Sequence, residues 1–318
     1  MSGQRYRLVT RSDFDGLVCA VLLRALDLTD DILFVHPKDV QDGAVEVTDR
    51  DILTNLPYAP AAHLVFDHHH SETLRNAGTP AHHVIDPAAP SAARVVYDYY
   101  GGAAAFPQVS ADLMRAVDQA DSAAYELHDI LDPTGWTLLN FLMDSRTGLG
   151  RFRDFRISNY QLMMQLIDTV LQHESPESIL ATPDVAERVE LFRQQSELFV
   201  AQLRRTCTVR GDLVVVDLRH EEVIHAGNRF MVYALFPQCR VSAHVLWGKQ
   251  QQNTVLAVGK SILDRTSPLD IGALMLGFDG GGHQNAGTCQ VTHEDAERVL
   301  DEVAAAVNTA AQQPVPVA

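Results

Sequence analysis

The chain has 318 residues, and its 46% hydrophobic and 21% charged residues are typical of a globular rather than a disordered protein. At about 150 residues per domain, this length predicts two domains. The formal net charge of −16 argues against a protein that holds long duplex nucleic acid on a broad basic face. It does not exclude a small anionic substrate, because a few cations or a bound metal can reverse the charge locally.

The sequence also indicates where the protein acts. No run reaches the ~18 uncharged apolar residues of a membrane-spanning helix, and the first residues, MSGQRYRLVTRSDFDG, lack the apolar core of a signal peptide. The four cysteines lie far apart without a CxxC pair, which predicts buried free thiols rather than a zinc site. We therefore expect a cytoplasmic protein without membrane contact.

The first part of the chain alternates short apolar runs with a helical pattern. Residues 7–10 are predicted as a strand that stops at SDFDG, and the helix LVCAVLLRALDL follows directly. ILFVHP, AVEVTD and HLVFDHHH are predicted as three further strands, of which the last two end in acidic or histidine residues. This alternation predicts an α/β domain with a parallel sheet, and ligands of such sheets bind beyond the carboxyl ends of the strands.

The rest of the chain is predicted as a helical stretch followed by a second α/β region. Helices dominate from about residue 111 to 206, with a long one over 183–205. Strands then return in VRGDLVVVDL, RVSAHVLWGK and NTVLAVGKS, and a helix ends in the glycine-rich loop GGGH before a closing helix. We predict an N-terminal domain over 1–125, a helical connector over 126–207 and a smaller C-terminal domain over 208–318.

Carboxylates and histidines cluster at the predicted strand ends. Asp13 and Asp15 stand in the first strand-to-helix turn, where Gly16 allows the backbone to turn. Asp67 precedes the three histidines 68–70, and carboxylate together with imidazole suits Mn²⁺, Fe²⁺ or Zn²⁺. Asp49 closes the predicted strand AVEVTD. Taken alone, the aspartates at 13, 15 and 49 are also explained by helix capping, whereas three histidines in a row at a strand end are hard to explain by packing.

A fourth acidic element, AVDQADS, places Asp118 and Asp121 at a helix end, and the sequence does not decide between them. Carboxylates that converge on one sheet edge would repel one another without cations. Two divalent metals about 3.5–4 Å apart would relieve that repulsion and activate water for attack on a phosphoryl group. Together, the clusters predict a dinuclear metal-dependent phosphoesterase.

The C-terminal region carries a candidate anion site. Consecutive glycines allow backbone N–H groups to approach an anion closely, and a P-loop is excluded because GxxxxGK[ST] does not occur. The candidate substrate-binding residues are Gly280, Gly281, Gly282 and His283, together with the cations Arg229, Lys260 and Arg265.

The motifs SDFDG, VTD, FDHHH, AVDQADS and GGGHQNAG, in this order, resemble the DHH phosphoesterase superfamily with its DHH-associated C-terminal domain. The resemblance covers about residues 6–310. It implies a hydrolase of phosphodiester or phosphomonoester bonds in short oligonucleotides, cyclic dinucleotides or nucleoside phosphates, with polyphosphate as the alternative substrate. A homodimer is common in this superfamily.

The resemblance also implies residue roles. Two Mn²⁺ ions, or Mg²⁺ or Co²⁺ in their place, would be held by Asp13, Asp15, Asp49, Asp67, His68 and Asp121. His69 is the alternative to His68 as a ligand, and Asp67 would either ligate a metal or orient the histidines. His69 would otherwise lie near the scissile phosphate, and Gly281, Gly282 and His283 would bind the terminal nucleotide or phosphate.

One position departs from the superfamily pattern. The first motif usually reads His-x-Asp-x-Asp-Gly, and here Arg11 stands in the histidine position. Arginine cannot ligate a metal at neutral pH, so one metal would lose an imidazole or take one from His36 or His70. Alternatively, Arg11 takes part in catalysis by binding substrate phosphate. A nucleotide-binding sensor with a degenerate metal site is therefore the alternative to an enzyme.

Overall fold

The computed structural model describes residues 4–75, 80–172 and 175–312. The chain divides into two compact units, one formed by Met1–Ala124 and Pro133–Leu191 and the other by Tyr125–Asp132 and Phe192–Ala318. The predicted three-part division, with a connector over 126–207, stays a prediction. In the described residues, no helix is long and apolar enough to cross a membrane.

The first unit is built on a five-stranded parallel sheet in the order β2-β1-β3-β4-β5, which confirms the predicted α/β class. Its strands are β1 (Tyr6–Arg11), β2 (Thr29–Val35), β3 (Asp51–Thr54), β4 (Leu64–Asp67) and β5 (His83–Ile85). Its core includes Val9, Leu53 and Val65 from the three central strands.

The predicted strand AVEVTD is wrong, because residues 44–50 form no strand and β3 begins at Asp51. The Asp51 carboxylate accepts the Thr48 amide N–H at 2.7 Å and binds the Arg7 guanidinium at 2.7 and 2.8 Å. These contacts hold a turn directly before the strand. Val45 and Val47 still pack against the core, which explains the alternating pattern without strand pairing.

Helices pack against this sheet and against one another. They are α1 (Phe14–Ala25), α2 (Pro37–Gln41), α3 (His70–Arg75), α4 (Ala92–Tyr99), α5 (Ala111–Asp121), α7 (Gly135–Met143), α8 (Asn159–Gln172) and α9 (Pro176–Leu180). Residues 14–23 of α1 are buried throughout, because α4, α5 and α8 pack against this helix. The helix α6 (Leu127–Leu131) belongs to the second unit, and α10 (Pro183–Thr206) contributes residues to both.

The second unit contains a six-stranded mixed sheet in the order β10-β11-β9-β8-β7-β6, in which only β7 and β8 run parallel. Its strands are β6 (Cys207–Arg210), β7 (Leu213–Asp217), β8 (Val241–Trp247), β9 (Thr254–Lys260), β10 (Gly281–His283) and β11 (Ala286–Val291). Its further helices are α11 (Met231–Leu235), α12 (Ile271–Leu276) and α13 (Ala296–Ala311).

Two features of the second unit bear on the predictions. Ile271 and Met275 of α12 and Val299 and Val303 of α13 form one core with the sheet. The prediction of a glycine-rich loop over GGGH is wrong for the last three residues. They pair with β11 and form the edge strand β10. The four cysteines are free, as predicted; three of them are buried and Cys207 is half-buried.

Candidate functional site

Polar side chains of the first unit gather where its central strands end. Arg11 ends β1, Asp67 ends β4 and Asp121 ends α5. Helix α1 starts directly after β1, and its capping residue Asp13 accepts the Gly16 amide N–H at 3.0 Å. A Cβ atom on Gly16 would lie 1.9 Å from the Arg11 carbonyl oxygen, so only glycine permits this close approach.

Three of the predicted metal ligands form one cluster. Asp15, His68 and Asp121 each offer a ligand atom, and these atoms all lie within 4.8 Å of one another. Nε2 of His68 lies 2.9 Å from Oδ2 of Asp121, but the two atoms are not aligned for a hydrogen bond, and Nε2 is buried without another partner in the described residues. Two carboxylates and an orphaned imidazole nitrogen fit a divalent transition metal such as Mn²⁺.

Asp15 is held rigidly in this cluster. Its carboxylate accepts the amide N–H groups of Ala92 and Ala93, at 3.0 and 2.8 Å, from the first turn of α4. Burial, and then the carboxylates of Asp121 and Asp13, raise the pKa of Asp15 to about 8. A cation at this point would favour the charged form of Asp15 by opposing both effects.

His68 is oriented for ligation. Its Nδ1 lies 3.2 Å from the Ala89 carbonyl oxygen, which places the proton on Nδ1 and leaves the Nε2 lone pair toward Asp121. Burial lowers the pKa of His68, but the contact with Asp121 and the negative charges of Asp121, Asp15 and Asp67 together outweigh burial and raise the pKa to about 9. A proton and a metal therefore compete for Nε2.

Asp67 orients the histidines that follow it. Its Oδ1 accepts the His68 amide N–H at 2.8 Å and lies 2.7 Å from Nδ1 of His69. This contact raises the pKa of His69, although burial opposes the rise. Oδ2 of Asp67 is buried without a hydrogen-bond partner in the described residues, so one oxygen positions His69 while the other is available to a cation.

Asp13 has different surroundings from Asp15. Its Oδ2 lies 2.9 Å from Nε of Arg11, and its Oδ1 accepts from Gly16 and, at 3.3 Å, from Nδ2 of Asn55. Burial raises the pKa of Asp13, and the charge of Arg11 opposes this rise, with a smaller contribution from Arg146. Both carboxylate oxygens therefore already have partners within the chain.

Asp49 is not brought to this cluster. It lies in the turn before β3, and the amino end of a parallel strand faces away from the edge where β1 and β4 end. The residue at the correct end of β3 is Asn55, which the sequence analysis missed because it placed the strand too early. The polar residue directly after the apolar run ILT was the available signal.

The structure separates the two acids of AVDQADS. Asp118 accepts from the Ser91 hydroxyl at 2.8 Å and from Nε of Arg94 at 3.1 Å, so it fixes the start of α4, whereas Asp121 joins the cluster. Neither alternative histidine joins: His36 caps α2 through Nδ1, and His70 is exposed at the start of α3.

The glycine run in the second unit forms one side of a tight hairpin. A Cβ atom on Gly280 would lie 2.2 Å from the Thr288 carbonyl oxygen, and one on Gly282 would lie 2.3 Å from that of Ala286. By contrast, no atom of the described residues, apart from the chain neighbours, lies within 4 Å of the Cβ position of Gly281. Packing thus requires two of these glycines, and Gly281 is the one whose Cβ direction is open.

The predicted substrate-binding side chains of this unit lie in three places: beside the hairpin, against an aromatic ring, and in the loop after β9. Lys260 lies beside the hairpin, since its amide N–H donates to the Asn285 carbonyl at 2.9 Å, and His283 is exposed at the hairpin's tip. The Arg229 guanidinium lies over the Phe230 ring at 4.1 Å. Arg265 donates from Nε to the Ile262 carbonyl at 3.2 Å, in the loop after β9.

Comparison with solved structures identifies the family. The pGpG-specific phosphodiesterase PggH from Vibrio cholerae is 57% identical, with a TM-score of 0.86 over 96% of this chain and 99% of that one. The chain belongs to the DHH phosphoesterase superfamily. An exopolyphosphatase-related protein from Bacteroides fragilis, 12% identical, has a TM-score of 0.50 over 95% of this chain and 92% of that one, and shares the fold.

A third DHH structure, RecJ from Thermus thermophilus in complex with Mn²⁺, is 17% identical, with a TM-score of 0.48 over 99% of this chain and 53% of that one. No protein-family model matches the chain, and no curated protein matches it. The predicted class, a DHH hydrolase that acts on phosphoester bonds, is confirmed in preference to the nucleotide-binding sensor. The chain also has an acidic cluster suited to a divalent metal.

Proposed function

We propose that this chain is a phosphodiesterase that cleaves the linear dinucleotide pGpG into two molecules of GMP. The observation that carries this proposal is the 57% identity to a pGpG-specific phosphodiesterase along nearly the full length of both chains. Hydrolysis would add one water across the single internucleotide phosphodiester and break the bond from phosphorus to the 3′-oxygen.

In this proposal Asp15, His68 and Asp121 hold a divalent cation, with Mn²⁺ preferred and Mg²⁺ or Co²⁺ as alternatives. When bound, such a cation stabilises developing charge on the phosphoryl group and lowers the pKa of water. The orphaned Nε2 of His68 and Oδ2 of Asp67 support this assignment. Asp67 is either a further ligand or only a positioning residue for the histidines.

We assign His69 to the leaving 3′-oxygen. Its Nδ1 lies 2.7 Å from Oδ1 of Asp67, and that contact raises the pKa of His69, which favours the protonated imidazole. Its side chain is 39% exposed, which makes it accessible to substrate. A protonated imidazole can donate to the departing oxygen as a general acid.

The hairpin of the second unit is assigned to the terminal nucleotide. Gly281 offers backbone without a side chain, and His283 and Lys260 add donors beside it. Arg229 and Arg265 stay predictions as further phosphate contacts. The free cysteines suit a reducing compartment such as the cytoplasm, and a homodimer also stays a prediction.

A substrate panel tests the proposal. With Mn²⁺ present, pGpG, a longer guanosine oligoribonucleotide, cyclic di-GMP, adenosine 3′,5′-bisphosphate and polyphosphate are compared at equal phosphate concentration. We expect pGpG to have the highest kcat/KM, with GMP as the only product. Faster release of phosphate from polyphosphate, or equal turnover of every oligonucleotide, would overturn the proposal. Asp121→Asn is the control for contaminating phosphatases.

A further inference from the structure

We infer that this chain binds one divalent cation rather than two, and that the guanidinium of Arg11 replaces the second cation beside Asp13. This inference rests on the metal-dependent function proposed for the same site. It departs from the dinuclear centre that the sequence predicts, because the residues around Asp13 do not fit a second metal.

The first observation is that Asp13 is already occupied by partners from its own chain. One oxygen pairs with Nε of Arg11 at 2.9 Å, and the other accepts from the Gly16 amide and from Nδ2 of Asn55. A metal would have to displace these donors. The cluster of Asp15, His68 and Asp121 offers an imidazole nitrogen without a hydrogen bond. Asn55, which contacts Asp13, also has a buried Oδ1 without a partner in the described residues, but that atom is a neutral amide oxygen.

The second observation concerns the types of residue beside Asp13, at the carboxyl ends of β1 and β3. A guanidinium carries a permanent positive charge and has no lone pair to offer a metal. Asn55, at the end of β3, points an amide donor rather than a carboxylate at Asp13. Asp49, the remaining predicted ligand, lies in the turn at the other end of that strand. A second metal beside Asp13 would therefore meet a guanidinium and a neutral amide instead of the predicted imidazole and carboxylate.

The third observation is electrostatic. Nε of Arg11 lies 2.9 Å from Oδ2 of Asp13, so a permanent positive charge already faces this carboxylate. A dication placed directly against the guanidinium would be repelled at short range, where screening by solvent is weakest.

Arg11 is also placed to contact substrate. In the described part of the chain its side chain pairs only with Asp13, through Nε, and it is 34% exposed. Its two terminal nitrogens are therefore available to phosphoryl oxygens, which a guanidinium binds with fixed fork geometry. Arg11 would then neutralise Asp13 and stabilise phosphoryl charge at once.

The test is the number of metal ions per chain. The full-length protein is loaded with Mn²⁺, desalted and examined by native mass spectrometry and electron paramagnetic resonance. We expect one Mn²⁺ per chain and the spectrum of an isolated ion. Two Mn²⁺ per chain, with a spin-coupled spectrum, would overturn the inference. This wild-type count tests the inference even if no variant folds.

The variant Arg11→His/Asn55→Asp restores an imidazole and a carboxylate beside Asp13. We expect it to bind two Mn²⁺ per chain, with a coupled spectrum. A folded double variant that still binds only one would show that Arg11 and Asn55 do not exclude the second ion. Arg115→His, on an exposed arginine of α5 that pairs with Asp112, is the matched control and should bind one.

Hydrolysis of pGpG is measured on the same preparations. One Mn²⁺ per chain without cleavage of pGpG would leave the single-metal inference standing and would remove the proposed substrate. Cleavage of pGpG with two Mn²⁺ per chain would do the reverse. The two proposals therefore fail separately.

Discussion

Two half-buried histidines show how differently the two units treat charge. His68, in the first unit, faces the carboxylates of Asp121, Asp15 and Asp67, and its pKa rises to about 9 despite burial. In the second unit, burial followed by the charge of Arg229 lowers the pKa of His244 to about 4. The same side chain is thus favoured as a cation in one unit and as a neutral group in the other.

The difference indicates what each unit can do. The edge of the parallel sheet concentrates negative charge that a metal can balance, so bond breaking is expected there. The second unit offers open backbone at Gly281 and cationic side chains at Lys260 and Arg229, which suit an anionic ligand without a metal. Under the proposed function, the first unit carries out the chemistry and the second unit binds the substrate.

The strongest test of this division is loss of the metal cluster. Asp121→Asn should reduce kcat for pGpG by at least about 10²–10³-fold and abolish Mn²⁺ binding, because one of three clustered ligands is lost. Asp118→Asn, three residues earlier on α5, removes the contact with Arg94 instead. That variant should lose about 1–3 kcal/mol of stability but keep its Mn²⁺. Equal metal loss in both variants would contradict the assignment.

A second test concerns the proton for the leaving oxygen. His69→Gln should lower kcat for pGpG by about 10²-fold while KM changes little. A p-nitrophenyl phosphodiester, whose leaving group needs no proton, should be affected much less. His70→Gln changes the neighbouring histidine, which is exposed at the start of α3, and should leave both substrates unaffected. If both substrates slow equally in His69→Gln, the residue does not act as the acid.

A third test separates packing from binding in the glycine run. Gly281→Ala should keep the melting temperature of the wild type, because its Cβ meets open space. Its KM for pGpG should rise by roughly 10-fold, as expected for about 1.4 kcal/mol of lost binding, with unchanged hydrolysis of the p-nitrophenyl ester. An unchanged KM for pGpG would remove the hairpin from the binding site.

Gly282→Ala is the counterpart, since its Cβ would lie 2.3 Å from the Ala286 carbonyl oxygen. It should cost about 1–3 kcal/mol of stability, through the shift of β10 away from β11. A Gly282→Ala protein as stable as Gly281→Ala would show that the hairpin is looser than the structure indicates.

Much of this architecture could be predicted from sequence because short apolar runs ending in acids fix both the strands and the edge where ligands bind. Asp15 and the histidines after Asp67 were predicted in this way, whereas Asp121 was one of two candidates at a helix end. Asp49 was not placed correctly, because Val45 and Val47 alternate like a strand while packing outside the sheet. The partner Asn55 depends on where β3 ends, and the choice between Asp118 and Asp121 depends on how α5 faces α4. The end of β3 and the orientation of α5 both depend on tertiary packing, which residue spacing within one segment does not reveal.

The smallest expected effect is the pH dependence that His244 gives to stability. Its pKa in the folded chain is about 4, below the ordinary value of 6.5, so the unfolded chain binds the proton more readily. The contribution of neutral His244 is therefore complete above pH 6.5 and is lost progressively as the pH falls toward 4. The pKa of His68 is raised, so the stability that His68 contributes is lost as the pH rises and not as it falls.

This dependence can be measured against a variant that cannot titrate. His244→Leu should have a melting temperature that falls less than that of the wild type between pH 7 and pH 5, with a difference on the order of 1–3 °C. Parallel curves would mean that His244 is not kept neutral by the fold. In that case the second unit would hold a histidine cation beside Arg229, and the contrast with His68 would fail.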